Sequence, residues 1–355
     1  MWTSKATLSH DGEMITKVQV HRGLESRPLW KTLEMLPPEL AVKWVDRFSS
    51  YEAIAAEWAI AKVFETIHQV EVPQRAQHLR SIYLETQRLL WSFNFLAEIF
   101  TALGDYIRYQ QSLRLRELVF EGQEILSGSR VLPQVLCLGG VERDLTLGEA
   151  KKLKAMIRNV EYEFKVFFKD LAQDTLVIRR LIGLLAISKK RAERLSLLGP
   201  LGQASGVVAD LRVTKPFGAY GSVDLETFNV DRTKDWFCDQ AGRGIPGDAY
   251  SRLRSVFFQI RQSLFLIERF VETLPAGSVK LNFSSGETPP GIWSAAIEGG
   301  SGPIHVMVRE KTIRLSSHSI RLSPVFEGLL ANIHVDDFEP AVASLGIEMG
   351  QMDLC

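Results

Sequence analysis

The sequence predicts an α+β protein: a central bundle of long helices with an N-terminal β-hairpin and a small β/α region at the C-terminal end. Three observations carry this. Apolar residues repeat at three- and four-residue spacing through the middle of the chain, Asp11-Gly12 marks a tight turn near the start, and short β-type segments gather after residue 278. The organisation expected is 1–36 as hairpin region, 37–198 as helical bundle and 199–355 as glycine-rich loop, helix and β/α region, all in one integrated domain.

Taken in order, residues 4–20 read as the hairpin. Pro37-Pro38 opens the helical region, in which Leu79, Ile82, Tyr83, Leu89, Leu90, Phe93, Leu96, Ala97 and Phe100 form one broad apolar stripe. Gly104 interrupts it. A second amphipathic stretch runs from Asp105 to Ser127 and stops at Ser127-Gly128. Thr146 and Glu149 form a capping box that starts a third helix, with Leu153, Met156, Ile157, Val160, Phe164, Phe167 and Leu171 facing inward. Residues 174–198 continue helically with a break near Ser188, and 199–247 read as a long ordered loop. A helix over 247–273 buries Val256, Phe257, Ile260, Leu264, Ile267 and Phe270. Strands are expected at 279–283, 292–297, 304–308 and 312–315.

Composition narrows function. The 355 residues are 46% hydrophobic and 24% charged, enough for a substantial core, and 42 basic residues balance 42 acidic ones. That balance lacks the basic footprint of a nucleic-acid binder. Cys137, Cys238 and Cys355 stand far apart, so no paired thiolate metal site can be written. The start of the chain has no apolar run of signal-peptide length, and 181–187 is far short of the roughly 20 residues that span a bilayer. The expectation is a soluble or peripherally membrane-bound protein in a reducing compartment.

Several strings suggest chemistry that the residues around them do not support. Gly242-Arg243-Gly244-Ile245-Pro246-Gly247 matches the dinucleotide-binding G-x-G-x-x-G by letter, but no apolar strand precedes it. In Gly202–Gly206 the serine stands one place too late for a nucleophile elbow. His305 and His318 have no partner at ligand spacing and read as surface or hydrogen-bonded core histidines. Arg108, Arg114 and Arg116, balanced by Glu117, Glu121 and Glu124, read as a solvated helix face.

One resemblance goes further. Pro73-Gln74-Arg75-Ala76-Gln77, Arg88-Leu89-Leu90, Ser127-Gly128-Ser129-Arg130, Gly139-Gly140-Val141, Asp144-Leu145, Ser205-Gly206, Asp210-Leu211-Arg212, Gly247-Asp248-Ala249-Tyr250 and Arg261-Gln262-Ser263-Leu264 occur in order along nearly the whole chain. Together they resemble the D subunit of respiratory complex I, the NADH:quinone oxidoreductase component related to the large subunit of nickel-iron hydrogenases. The resemblance implies that hydrogenase-like fold, and it implies electron transfer from a 4Fe-4S cluster on a small iron-sulfur subunit to quinone or another acceptor. The chain itself would bind no metal or other cofactor, since both CxxC pairs of the hydrogenases are missing. It also reinterprets Gly247 as a helix start capped by Asp248.

The motif positions that carry chemistry differ. Ser50 stands where the family's D-R-L-D-Y has tyrosine, Leu132 where S-G-A-R-M-H has histidine, and Cys137 where R-P-G-G-V has arginine. The L-H-R-G-x-E motif has two registers: 21–25 matches by letter, whereas spacing favours 24–30 and keeps only Arg27. The resemblance therefore implies a site of Arg47, Tyr51, Arg27 and Arg130, its arginines raising the neighbouring cluster's potential and steering anionic intermediates. Tyr51 follows Ser50 and, on a helix, would point roughly 100° away from it. The rival expectation is a scaffold protein of such a complex that has lost quinone chemistry.

Overall fold

The computed structural model describes residues 5–21, 23, 28–131, 133–228, 246–283, 286–310 and 312–352. Strands β1 (Lys5–His10) and β2 (Ile15–His21) form the expected antiparallel hairpin, with Leu8 opposite Val18 and a register shift at Ser9/His10. Ile15, Val18 and Val20 are its buried side. Helix α1 (Leu29–Met35) was not expected. It is followed by α2 (Pro38–Trp44), a 3-10 turn at Val45–Phe48 and α3 (Ala53–Ile67), so the region opened by Pro37-Pro38 is several helices rather than one.

The bundle follows as α4 (Gln74–Ala102), α5 (Tyr106–Ser127), the β3 (Leu136–Cys137) and β4 (Gly140–Val141) turn, and α6 (Leu147–Gln173). Gly104 ends the first of these at φ +75°, and Asp105 caps the next by accepting the Arg108 N–H. Both halves of the Thr146/Glu149 capping box form, and the buried residues of α6 are the seven expected. Its phenylalanines join the neighbouring helices: Phe93 and Phe164 centroids lie 6.1 Å apart, and Phe100 and Phe167 5.6 Å. Gly122 permits close packing of α5 on α6, because a Cβ there would sit 2.0 Å from Met156 Cε.

Beyond Gln173 the chain runs as α7 (Thr175–Leu181), α8 (Lys189–Arg194, capped by Ser188), α9 (Gly199–Ala204) and α10 (Leu211–Thr214). The described part of 199–228 is thus short helices with turns, not one long loop; Pro200 and the Asp210 cap start them locally. Residues 229–245 lie outside the described residues, and with them Cys238 and most of the G-x-G-x-x-G string; so does Cys355. Helix α11 (Ala249–Glu272) starts where Asp248 Oδ1 accepts the Ser251 N–H at 2.7 Å, and all six expected residues are buried. It closes the bundle, with Phe257 and Phe164 centroids 5.5 Å apart.

The expected strand at 279–283 is an isolated bridge between Gly140 and Lys280, since β4 has only two residues to pair with. The other three strands form as β5 (Ile292–Glu298), β6 (Pro303–Arg309) and β7 (Thr312–Ser316), an antiparallel meander in which Ile304, Val306 and Val308 face the core. Short helices α12 (His318–Leu322), α13 (Phe326–Leu329), α14 (Phe338–Ala343) and α15 (Met349–Met352) finish the chain.

A buried ion network fixes these parts together. Arg88 Nε donates to both Glu85 oxygens at 3.2 and 3.1 Å, and Arg212 Nη1 reaches Glu85 Oε1 at 3.2 Å. Ser263 Oγ donates to Glu85 Oε2 at 2.6 Å, while Arg212 is also paired with Asp210 at 2.8 Å. Arg88 Nη2 holds the Glu298 carbonyl at 2.6 Å. Several resembling motifs therefore meet at one carboxylate, Glu85, tying α4 to α10, α11 and the β5 end. That role is structural: each charge is matched, as burial at this depth demands.

His318 is a core histidine, 2% exposed, with Nε2–H donating to the Leu345 carbonyl at 2.9 Å. Burial pushes its pKa down from 6.5 to about 4. The folded state thus binds its proton less readily than the unfolded chain. Stability present above 6.5 is expected to fall as pH drops through that window, by up to about 3 kcal/mol. Urea midpoints measured against pH should flatten between about 6.5 and 4 in His318→Gln; an unchanged slope would assign the acid loss elsewhere.

Candidate functional site: a polar cavity between the hairpin and the bundle

A cavity of about 790 Å³ opens between the hairpin, α4, α5 and α14, within the size range of small-molecule sites. Lys5 and Val20 come from the hairpin, Phe326, Phe338 and Val342 from the C-terminal helices. The hairpin is positioned there by Ile15 N–H donating to the Ile333 carbonyl at 2.8 Å and Val20 N–H donating to Glu327 Oε1 at 2.9 Å.

One side of the cavity carries a continuous hydrogen-bonded chain. Arg116 Nη1 donates to the Tyr51 hydroxyl at 3.1 Å and to Asn94 Oδ1 at 2.9 Å, and Asn94 Nδ2 donates to Glu98 Oε1 at 2.9 Å. All four residues line the cavity. Because Tyr51 accepts from Arg116, its own O–H points away from that bond and remains a donor. Burial raises the Tyr51 pKa, though Arg116 opposes the rise, so the phenol stays protonated. Burial likewise lifts Glu98 to about 7, where it can hold or release a proton near neutrality.

Tyr51 does not lie on a helix. It sits in the turn before α3, where Ser49 Oγ accepts the N–H groups of Tyr51 at 3.1 Å and Glu52 at 3.0 Å. The helical 100° rule therefore does not govern its direction, and the ring enters the cavity. Arg47 lies on the surface with its side chain 53% exposed, paired with Asp46 at 3.1 Å. Arg130 is paired with Glu117 and Glu124. Neither is among the cavity-lining residues. Arg27 and Leu132 lie outside the described residues, as do Arg22 and 24–27 of the two motif registers.

The reading of Arg108, Arg114 and Arg116 as one solvated face needs correction. Arg108 is buried against Asp105, Asp170 and Asp174, and Arg116 turns into the cavity; Arg114 alone keeps a surface pair, with Glu163. The three residues span more than two helical turns and so meet different neighbours. Asn94 and Glu98 escaped notice in the sequence. Their signal was an i, i+4 polar pair on a helix otherwise apolar at that point.

Among the described residues, no group of three or more His, Cys, Asp or Glu side chains could hold a metal ion, and no helix is long and apolar enough to cross a membrane. The Gly202–Gly206 string reads structurally: Ser205 Oγ donates to the Leu201 carbonyl at 3.3 Å, closing α9.

Residues 103–299, more than half of the chain, match the family model of the respiratory-chain NADH dehydrogenase 49 kDa subunit. The chain belongs to that family. It is 27% identical to the D subunit of NADH-quinone oxidoreductase from Carboxydothermus hydrogenoformans, covering 98% of this chain and 93% of that one. It is 26% identical to the C/D subunit of the Phocaeicola vulgatus enzyme over 86% of its own length, but spans only 56% of that longer relative. The fold matches a chain in the structure of the membrane-bound sulfane sulfur reductase, an archaeal respiratory membrane complex, with TM-score 0.88 at 24% identity, covering 98% and 93% of the two chains. Family membership fits the long-helix bundle and the motif order.

Proposed function

We propose that this 49 kDa-type subunit passes electrons from a 4Fe-4S cluster on a small iron-sulfur partner subunit to a quinone-class acceptor in the α4–α5 cavity, within a complex associated peripherally with the inner face of a membrane. The Tyr51–Arg116–Asn94–Glu98 chain carries the reading. Reducing a quinone to a quinol takes two electrons and two protons and turns each carbonyl into a hydroxyl. A carbonyl oxygen gains negative charge as electrons arrive. The free O–H of Tyr51 can hydrogen-bond that oxygen, Arg116 orients the phenol and supplies a fixed positive charge, and the Glu98 carboxyl holds a transferable proton. The cavity's apolar lining, including Val20, Leu113 and Phe338, suits the rest of a hydrophobic acceptor.

Tyr51→Phe is expected to lower kcat/KM for quinone about 100-fold in the assembled complex, with the chain still incorporated. Reduction of duroquinone by the purified native complex measures it. A second reading, the scaffold protein without quinone chemistry, is favoured by Ser50 at the family's tyrosine position and by the acid pairs that occupy Arg47 and Arg130. Unchanged turnover in Tyr51→Phe would decide for the scaffold.

A further inference from the structure

The α5 wall of the cavity carries an arginine with half of its donors unused by the protein. Tyr109, Leu113 and Arg116 recur at four- and three-residue spacing on α5, so a single helical face lines the cavity. Arg116 Nη1 takes both protein acceptors, the Tyr51 hydroxyl at 3.1 Å and Asn94 Oδ1 at 2.9 Å. The guanidinium carbon lies 5.9 Å from the centroid of the Phe120 ring, so that ring lies against the group. Among the described residues Nε and Nη2 meet no acceptor, and neither nitrogen is enclosed by protein.

The geometry of those two nitrogens selects a partner. Nε–H and one Nη2–H point the same way in the guanidinium plane, and this edge meets two coplanar oxygens at once. Two hydrogen bonds from Nη1 and the contact with Phe120 hold the plane in place. The charge around it is unbalanced. Among the described residues no carboxylate pairs with Arg116, Lys5 adds a second cation to the cavity wall, and Glu98 is joined to Arg116 through Asn94. Burial lifts Glu98 to about 7, so below that pH it holds its proton, and Glu339 on the cavity wall is exposed to solvent. A fixed cation beside the apolar Val20 and Leu113 is best matched by an anion on the ligand.

We infer that the Nε/Nη2 edge of Arg116 is a subsite for an anionic oxygen beside a carbonyl, so that the acceptor class the cavity prefers is an ionised hydroxyquinone. The inference rests on the proposed function. In a 2-hydroxy-1,4-quinone the ionised hydroxyl and the adjacent carbonyl oxygen lie in the ring plane and share the negative charge. They match the arginine edge in number, planarity and sign. A quinone with methyl neighbours offers that edge one oxygen and no charge. The Tyr51 O–H, on the Nη1 side of the same guanidinium, is left for the other carbonyl. A Glu98 that holds its proton adds no repulsion.

Competition against azido-benzoquinone photolabelling of this protein in the native complex reads binding without depending on turnover. 2-Hydroxy-1,4-naphthoquinone is ionised at neutral pH, whereas its 2-methoxy analogue has the same ring system but cannot ionise. The hydroxy compound is expected to halve the labelling at a concentration about tenfold below that of the methoxy compound. Arg116→Lys keeps a cation but has no two-donor edge, so in R116K the two compounds should compete within about twofold of each other. Equal potency on the wild type, or a tenfold preference that R116K retains, would overturn the inference. Where R116K does not assemble, the wild-type comparison decides. If duroquinone and both naphthoquinones leave the labelling unchanged, the functional reading falls, and the inference with it.

Discussion

Arg88→Met is expected to destabilise the fold by about 3–5 kcal/mol, the cost of leaving a buried charge without its partner. The Arg88 side chain is 1% exposed and donates to both Glu85 oxygens. It also donates to the carbonyls of Glu298 and Gly299, so methionine would orphan two backbone acceptors as well. Burial by itself would raise the Glu85 pKa, but Arg88 and Arg212 hold it below the usual carboxylate range. That contribution is present at neutral pH and is lost as pH falls below about 4.5, so the variant should lose less on acidification than the wild type. Denaturant midpoints at neutral and acidic pH would show both effects. A loss under about 1 kcal/mol at neutral pH would mean that the Glu85 node is hydrated and carries little of the fold's stability.

Gly247→Ala is expected to cost about 2–5 kcal/mol, the sum of backbone strain and overpacking. Gly247 has φ +83°, and a Cβ there would lie 2.0 Å from the Ile187 carbonyl oxygen and 3.0 Å from Ser205 Oγ. The same residue donates its N–H to the Ala204 carbonyl at 2.8 Å, and its own carbonyl accepts from Ile187 N–H at 3.0 Å and from Arg252 at 2.7 Å. It cannot move aside without breaking those bonds. Thermal unfolding of the variant measures the cost. A melting temperature within a degree or two of wild type would show that the 187 and 204 segments yield easily.

That glycine also marks how far the sequence could be read. By letter it ended a dinucleotide-binding string; the missing strand argued against nucleotide, and the family resemblance gave it to a helix start, where Asp248 caps α11. The inward faces of α6 and α11 were legible residue by residue, because long amphipathic helices declare their period locally. The short helices after Gln173 were less so, since tertiary contacts and single caps set them more than any repeat does. The bridge at Lys280 read as a strand because its residues are β-like, while pairing depends on a neighbour distant in sequence.

The candidate site was legible only in part. Tyr51 could be named, but its direction depended on the Ser49 turn, which no helical rule describes. Arg116 looked like one of three surface cations, and only the tertiary fold separates it from Arg108 and Arg114. Lys5 and Phe338 meet at the same cavity through folding across nearly the whole chain. Such convergence leaves no local pattern to find.

The most direct test of the proposed site is photolabelling of the native complex with an azido-benzoquinone, followed by peptide mapping. Adducts that the parent quinone competes away are expected on the cavity-lining segments around Tyr51, 94–102, 109–116 and 338–342. Labelling of this protein that the parent quinone does not reduce, or competed labelling confined to other surfaces, would contradict the assignment of the cavity as the acceptor site.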